Sequence, residues 1–320
     1  MKTAKLDIHA YITGRIIAAL ERGVGPWIRP WKGTKGPHNG TSARLYRGIN
    51  PWLLAARAEE KGWTDPRWCT EKQALKRGWR FKDSAYDKPG DLDLGFVVCW
   101  WFFKTTRTLK NGDKRDERVP FMRLYRVANF EQLEGPKPYD DSLPGHWQEE
   151  MRRDKARKLV DDLPVCIRHG GDSACYDPQK DIVHMPVPAA FAKEDDYWVT
   201  LFHELGHWTG SDLRLERDFS GRFGEQAYAI EELVAELTAA NMAAHLEIGE
   251  SGQIRPDHAR YIGHWLEVLR RDRRAISHAA SKADRATRYL LELAEAGPSK
   301  RRSGRRRTIQ NRSLPVAMAI

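Results

Sequence analysis

The chain has 320 residues, 41% of them hydrophobic and 31% charged, with only 4 Cys and a formal charge of +10. That length accommodates roughly two ordinary domains, each able to bury its own core. The apolar fraction excludes a disordered chain, the sparse cysteines exclude a disulfide scaffold, and no apolar run is long enough to cross a bilayer.

The charge is unevenly divided. Residues 1–134 carry 26 Lys and Arg against 15 Asp and Glu, residues 135–299 carry 21 against 29, and residues 300–320 carry 7 against none. A basic first third, an acidic middle and a basic tail point to a nucleic-acid-facing module joined to one with another task.

The N-terminal stretch MKTAKLDIHAYITGRIIAALERG places Ile8, Tyr11, Ile12, Ile16 and Leu20 at helical spacing, capped near Asp7 and stopped near Gly23. Charges interrupt any signal-peptide core, so a cytoplasmic location is expected. GPWIRPWKGTKGPHNGTSARLYRG follows as a long loop rich in turn signals. Asn50-Pro51 has the form of an N-cap followed by proline and opens a helix to about Glu60. The run Thr70 to Gln73 has capping-box form and starts a short helix ending near Gly78. GFVVCWWFFKT (95–105) and RVPFMRLYRVANF (118–130), with Asn111-Gly112 between them, read as a β-hairpin. A boundary falls in EGPKPYDDSLPG (134–145). Beyond it come a helix near 147–161, short strands at Val165–Arg168, Ala174–Tyr176 and Asp181–Met185, and helices at about 195–209, 225–247, 256–272 and 274–296. The expected fold is α+β: an α+β N-terminal domain (1–134), a mostly helical domain with a small sheet (146–296), and a disordered basic tail (297–320). The separated cysteines Cys69, Cys99, Cys166 and Cys175 read as reduced, partly buried thiols.

The strongest chemical signal is His203-Glu204-Leu205-Gly206-His207, in a helix whose Trp198, Leu201, Phe202 and Leu205 form an apolar stripe and whose Gly210 is a natural C-cap. Two imidazoles one turn apart can share one Zn²⁺, with Mn²⁺ or another divalent ion as the alternative. Glu204 faces the same cleft and can take a proton from water activated there. A third ligand is sought in FGEQAYAIEELVAELTAANMAAHL, where Glu232 and Glu236 share a face beside the small residues Ala235 and Ala239. Glu232 is the expected ligand, Glu236 the carboxylate that supports a ligating His, and Glu231 the alternative ligand. The strand Asp181–Met185 could serve as a sheet edge that pairs with an extended peptide. His184 reads as a strand-face residue, while Tyr261 and His264 are candidates for oxyanion stabilisation.

Eight of the 12 Trp fall before residue 135, interleaved with Arg and Lys. Indole faces stack on unpaired bases and cations follow phosphates, which is the combination that binds single-stranded nucleic acid. Candidate contacts are Trp27, Arg29, Trp31, Lys32, Arg44, Arg47, Trp101 and Phe103. In the Trp100–Phe103 run, one face of the hairpin should cover the core and the other form the stacking platform.

Taken together, YRGINPWLL, the WCTEKQA run, VPFMRLYRVANFEQLEG, HELGHWTG, FGEQAYAIEELVAEL and IGHWLEVLRRDRRAISHAASKADRATRYLL resemble the ArdC-type antirestriction proteins of conjugative plasmids over roughly residues 4–296. The N-terminal part is also similar to that of plasmid transfer primases. The resemblance implies a single-stranded-DNA-binding domain, a zincin-like metallopeptidase domain and protection of entering DNA from host restriction. It matches His203 and His207 to the metal ligands, Glu204 to the catalytic carboxylate, and Glu231–Leu237 to the segment supplying the third ligand. Single-stranded DNA and host restriction-enzyme subunits, or another protein substrate, are the partners it implies; no membrane is among them. Two other functions fit the same residues: a non-catalytic protein that coats single strands around a structural or vestigial metal site, and a metallopeptidase that cleaves a repressor.

Overall fold

The computed structural model describes residues 7–22, 36–88, 90–108, 114–138, 145–217, 226–248 and 259–301. In chain order the elements are α1 (Ile8–Glu21), β1 (His38–Asn39), α2 (Asn50–Lys61), β2 (Arg67–Cys69), α3 (Glu71–Lys76), β3 (Arg80–Phe81), β4 (Tyr86–Lys88), β5 (Asp91–Leu92), β6 (Gly95–Thr108), β7 (Lys114–Asn129) and β8 (Leu133–Glu134). They continue as α4 (Gly145–Asp161), β9 (Cys166–His169), β10 (Cys175–Asp177), β11 (Ile182–Met185), α5 (Glu194–Trp208), α6 (Gln226–Leu246), α7 (Ala259–Arg271) and α8 (Ala275–Arg301), the last interrupted at Gly297 by a left-handed residue (φ 58°, ψ 168°). This is the expected α+β class, with the sheet-rich part first and the helical part last. No described helix is long and apolar enough to cross a membrane.

The N-terminal part is built on a four-stranded sheet of order β1-β2-β7-β6. Local signals act as read at two helices: Asp7 caps α1 by accepting from the Ala10 N–H, and Thr70 and Gln73 form a reciprocal capping box on α3. Asn50 acts differently from the expected cap. The residue before α2 is Ile49, which makes no side-chain cap, and the Asn50 amide turns to β6, accepting from Val98 N (2.6 Å) and donating to Val98 O (2.9 Å). It thereby fixes the helix to the hairpin.

The second sheet is small, with order β10-β11-β9. β11 pairs parallel with β9 and antiparallel with β10, so the strand expected at an edge is central. Both its backbone sides are occupied by neighbours, and the sheet's edges are β10 and β9.

Two cores meet at α6. Ile12, Ile16 and Leu20 of α1, Trp52 and Leu53 of α2 and Val98 of β6 pack with Leu233, Val234 and Leu237 of α6 and with Trp265, Leu269 and Ile276 of α7 and α8. On its other side, Ala239, Met242 and Leu246 of α6 join Trp198, Leu201, Phe202 and Leu205 of α5. A helix buried on most of its circumference reads as uniformly apolar rather than amphipathic. At roughly 1.5–3 kcal/mol per large buried side chain, this shared core ties the N-terminal helix to the C-terminal part. Polar links reinforce it: Thr13 Oγ1 donates to Arg273 O (2.7 Å), and Arg270 pairs with Glu21 (2.6 Å).

Candidate metal centre

The α5 helix starts after Lys193 with Glu194, Asp195 and Asp196 in its first turn, favourable charges at the positive end of a helix. Its C-cap is Thr209 rather than Gly210; the Thr209 hydroxyl donates to Gly206 O at 2.6 Å. Opposite, Gly206 lets α5 approach α6 closely. A Cβ at that position lies only 3.0 Å from Ala235 Cα and 3.3 Å from Ala235 O. The small pair sets the spacing at which side chains of the two helices converge.

Three of them do so at one point. His203, His207 and Glu232 each offer a ligand atom, all within 4.8 Å of one another. The two Nε2 atoms are 3.2 Å apart, and each is 3.6 Å from a Glu232 oxygen. Four donors arranged tetrahedrally at about 2.0–2.1 Å from Zn²⁺ lie roughly 3.3–3.4 Å from one another. The observed separations bracket that value, so the donor set fits one small divalent cation. Two imidazoles and a carboxylate suit Zn²⁺ and also accommodate Mn²⁺.

Each imidazole is held from behind by a different carboxylate. His203 Nδ1 lies 2.7 Å from Glu236 Oε1, and His207 Nδ1 lies 3.2 Å from Glu231 Oε1. A ring whose Nδ1 donates to a carboxylate presents the Nε2 lone pair forward, as metal ligation requires. Glu231, the alternative ligand on sequence grounds, therefore stands behind His207, while Glu232 stands in front. Tyr228 hydrogen-bonds to Glu232.

The electrostatics favour a cation. Burial disfavours a charged His203, yet Glu236, Glu232 and Glu204 outweigh it and hold its pKa well above the ordinary imidazole value. Burial likewise raises the carboxyls of Glu231 and Glu232, but their bonds to the histidines, and for Glu231 to Arg217, bring both below the usual carboxylate range. Buried negative charge of this kind is tolerated only where positive charge is supplied. Glu204 is buried beside the ligands, and its charge reaches both His203 and the Cys175 thiol, whose pKa is raised by burial first and Glu204 second. The edge strand β10 thus lies next to the centre, packed against α5.

The sequence reading missed Arg217, a buried guanidinium bonded to Glu231 on one side and to the end of α5 on the other. An isolated Arg carries no local pattern that marks it. His184 is half-buried in β11, paired in register with Cys175 and Arg168, outside the ligand group. His264 is half-buried in α7, and the Tyr261 side chain lies outside the described residues.

Of the candidate nucleic-acid contacts, Trp27, Arg29, Trp31 and Lys32 lie outside the described residues, and Arg44 and Arg47 are exposed. The hairpin covers the core along its near part only. Val97 and Val98 are buried on opposite faces, and beyond them Met122, paired with Trp100, still packs against the core around α6, while Trp101 is half-buried and Trp100, Phe102 and Phe103 are 52%, 51% and 49% exposed. Register pairs Trp101 with Phe121 and Phe103 with Val119, and the Arg123 guanidinium lies over both the Trp101 and Phe121 rings at 5.8 and 5.4 Å. The ribbon is longer than the helices that could cover it, so its far half is wet on both sides. Elsewhere in the N-terminal part the indoles serve packing: Trp52 and Trp68 are buried, and Trp63 and Trp79 pack against small clusters.

Residues 6–127 match the family model for the N-terminal domain of anti-restriction factor ArdC, and residues 154–282 match that of a zincin-like metallopeptidase. The protein y4eC of Sinorhizobium fredii is 39% identical over 297 residues, covering 89% of this chain and 91% of y4eC. DNA primase TraC of Escherichia coli is 33% identical over 312 residues, which span 91% of this chain but only 28% of the primase. Two crystal structures of the antirestriction ArdC protein from plasmid R388 share the fold. The metal-free form is 29% identical with a TM-score of 0.72, covering 91% of this chain and 99% of that one. The Mn(II)-bound form is 31% identical with a TM-score of 0.70, covering 90% and 98%.

Proposed function

The chain belongs to the ArdC family of antirestriction proteins, and from that premise we propose that it binds single-stranded DNA and hydrolyses peptide bonds at a divalent-metal centre, protecting incoming plasmid DNA from host restriction. The observation that carries the reading is the convergence of His203, His207 and Glu232 with Glu204 beside them. When bound there, a divalent cation supplies Lewis acidity, polarising a carbonyl and making water acidic near neutral pH. Glu204 is the proton acceptor and later donor, in a buried position where a carboxylate within reach of the cleft acts as general base. Glu236 and Glu231 keep both imidazoles in the ligating tautomer. Protein substrates, host restriction subunits among them, enter as extended chains along β10, whose outer edge replaces β11 as the docking strand.

On the DNA side, Trp101 and Phe103 with Phe121 and Arg123 form the stacking surface of the ribbon, and the exposed Arg44 and Arg47 add phosphate contacts. The division of tasks proposed is DNA binding in 1–134, peptidase chemistry in 146–296 and accessory phosphate contacts in 297–320. A second reading rests on the same ribbon: the protein protects by coating single strands, without proteolysis. The test is restriction of incoming DNA in cells expressing full-length wild type, Glu204→Ala, or the pair Trp101→Ala and Phe103→Ala. The full chain is used because α1 completes the core around α6. Loss of protection in Glu204→Ala supports peptidase action. Full protection there, with loss in the ribbon variant, selects the coating reading, and protection by both variants overturns both.

A further inference from the structure

Arg217 is 4% exposed at its side chain and lies behind the metal centre. Its Nε donates to Glu231 Oε2 at 2.9 Å and its Nη2 to Glu231 Oε1 at 2.7 Å, a two-point bond that occupies both carboxylate oxygens. The same Nη2 donates to Gly206 O at 2.6 Å, and Nη1 donates to Thr209 Oγ1 at 2.9 Å. One guanidinium therefore joins the last turn of the ligand-bearing α5 to the carboxylate behind His207. A guanidinium does not lose its proton in a protein, so a buried one persists only where anions and acceptors satisfy it.

We propose that Arg217 is a positioning residue of the metal centre, which withholds Glu231 from the cation and fixes His207 with Nε2 forward. The inference rests on His203, His207 and Glu232 being the ligands. Glu231 and Glu232 are neighbours on α6, equal in chemistry and both close to His207. What distinguishes them is that Glu231 has both oxygens committed to Arg217 and one also to His207 Nδ1. Without Arg217, a buried carboxylate beside a dication is free to turn and ligate, and His207 loses the acceptor that orients its ring. Outer partners of ligating imidazoles typically change metal affinity by about 10–100-fold.

The test uses full-length protein, with Mn²⁺ binding followed by calorimetry and Co²⁺ substitution followed by its visible absorption, which weakens as coordination rises above four. Arg217→Met is expected to weaken Mn²⁺ binding by about 10–100-fold and to lower the Co²⁺ band. Arg217→Lys, which keeps the charge but not the two-point geometry, should recover part of both. In a Glu231→Gln background, Arg217→Met should add less than about threefold, because the arginine acts through that carboxylate. Wild-type affinity and an unchanged Co²⁺ spectrum in folded Arg217→Met overturn the proposal, as do independent, multiplying effects in the double variant. If Arg217→Met does not fold, wild-type binding and spectrum in both Arg217→Lys and Glu231→Gln overturn it equally. A His203→Ala control that binds Mn²⁺ like wild type instead refutes the ligand set on which the proposal stands.

Discussion

The same substitution, glycine to alanine inside a helix, is predicted to have opposite effects at Gly206 and Gly263. In a solvated helix interior the exchange gains about 0.8–1 kcal/mol from reduced backbone freedom. Gly263 in α7 is exposed, with nothing among the described residues within 4 Å of an added Cβ, so Gly263→Ala should be stabilised by about that amount. At Gly206 the added Cβ meets Ala235 Cα at 3.0 Å, Ala235 O at 3.3 Å and Ala235 Cβ at 3.4 Å. These are mostly backbone atoms of α6, which is packed between two cores and cannot rotate out of the way. Overpacking of this kind costs about 1–3 kcal/mol, so the net effect of Gly206→Ala is a loss of up to about 2 kcal/mol. Parting the helices by a few tenths of an ångström also draws Glu232 away from His203 and His207, so metal affinity falls with stability. Urea unfolding of the two variants, with a parallel Mn²⁺ titration, checks both halves. If Gly206→Ala is as stabilised as Gly263→Ala and binds metal normally, the close approach of α5 and α6 is not what sets the site.

Other outcomes follow from particular contacts. Asn50→Ala removes both amide bonds to Val98 and should destabilise the protein by roughly 1–3 kcal/mol in denaturant titration, since Val98 N loses its acceptor in a partly buried place. Of the thiols, the exposed Cys166 should react readily with a disulfide reagent at pH 8. Cys69, fully buried with its pKa pushed up to about 12, should react only on unfolding, and mass spectrometry after brief labelling distinguishes the two. Phe103→Ala should weaken single-strand binding by about 1–3 kcal/mol without changing its salt dependence, because stacking is lost and no phosphate contact is; fluorescence anisotropy at several salt concentrations measures both.

Much of the metal centre was legible because its central motif is local. Two histidines four residues apart on a helix face one way in any fold, and the small residues around Glu232 signalled a close helix contact. The choice between Glu231 and Glu232 was not legible, since adjacent helical positions differ by only a part turn. Arg217, 14 residues before Glu231, engages one of them through tertiary packing. Strand order was hidden for a similar reason: the Ile182–Met185 pattern marks a strand but says nothing of how many neighbours it has. The Ile12, Ile16 and Leu20 stripe showed that α1 buries a face, yet not that the face belongs to a core shared with α6, α7 and α8. In the hairpin, alternation assigned Trp100 and Trp101 to opposite faces correctly, but strand length relative to the covering helices decided that both faces open to solvent farther out, at Phe102 and Phe103.

The most direct test of the central claim is the number of divalent ions bound per chain in full-length wild type and in Glu232→Ala, measured by calorimetry with Mn²⁺. The site built from His203, His207 and Glu232 predicts one ion per chain in wild type and binding weakened by at least an order of magnitude in the variant. Stoichiometric, wild-type-strength binding by Glu232→Ala would contradict it.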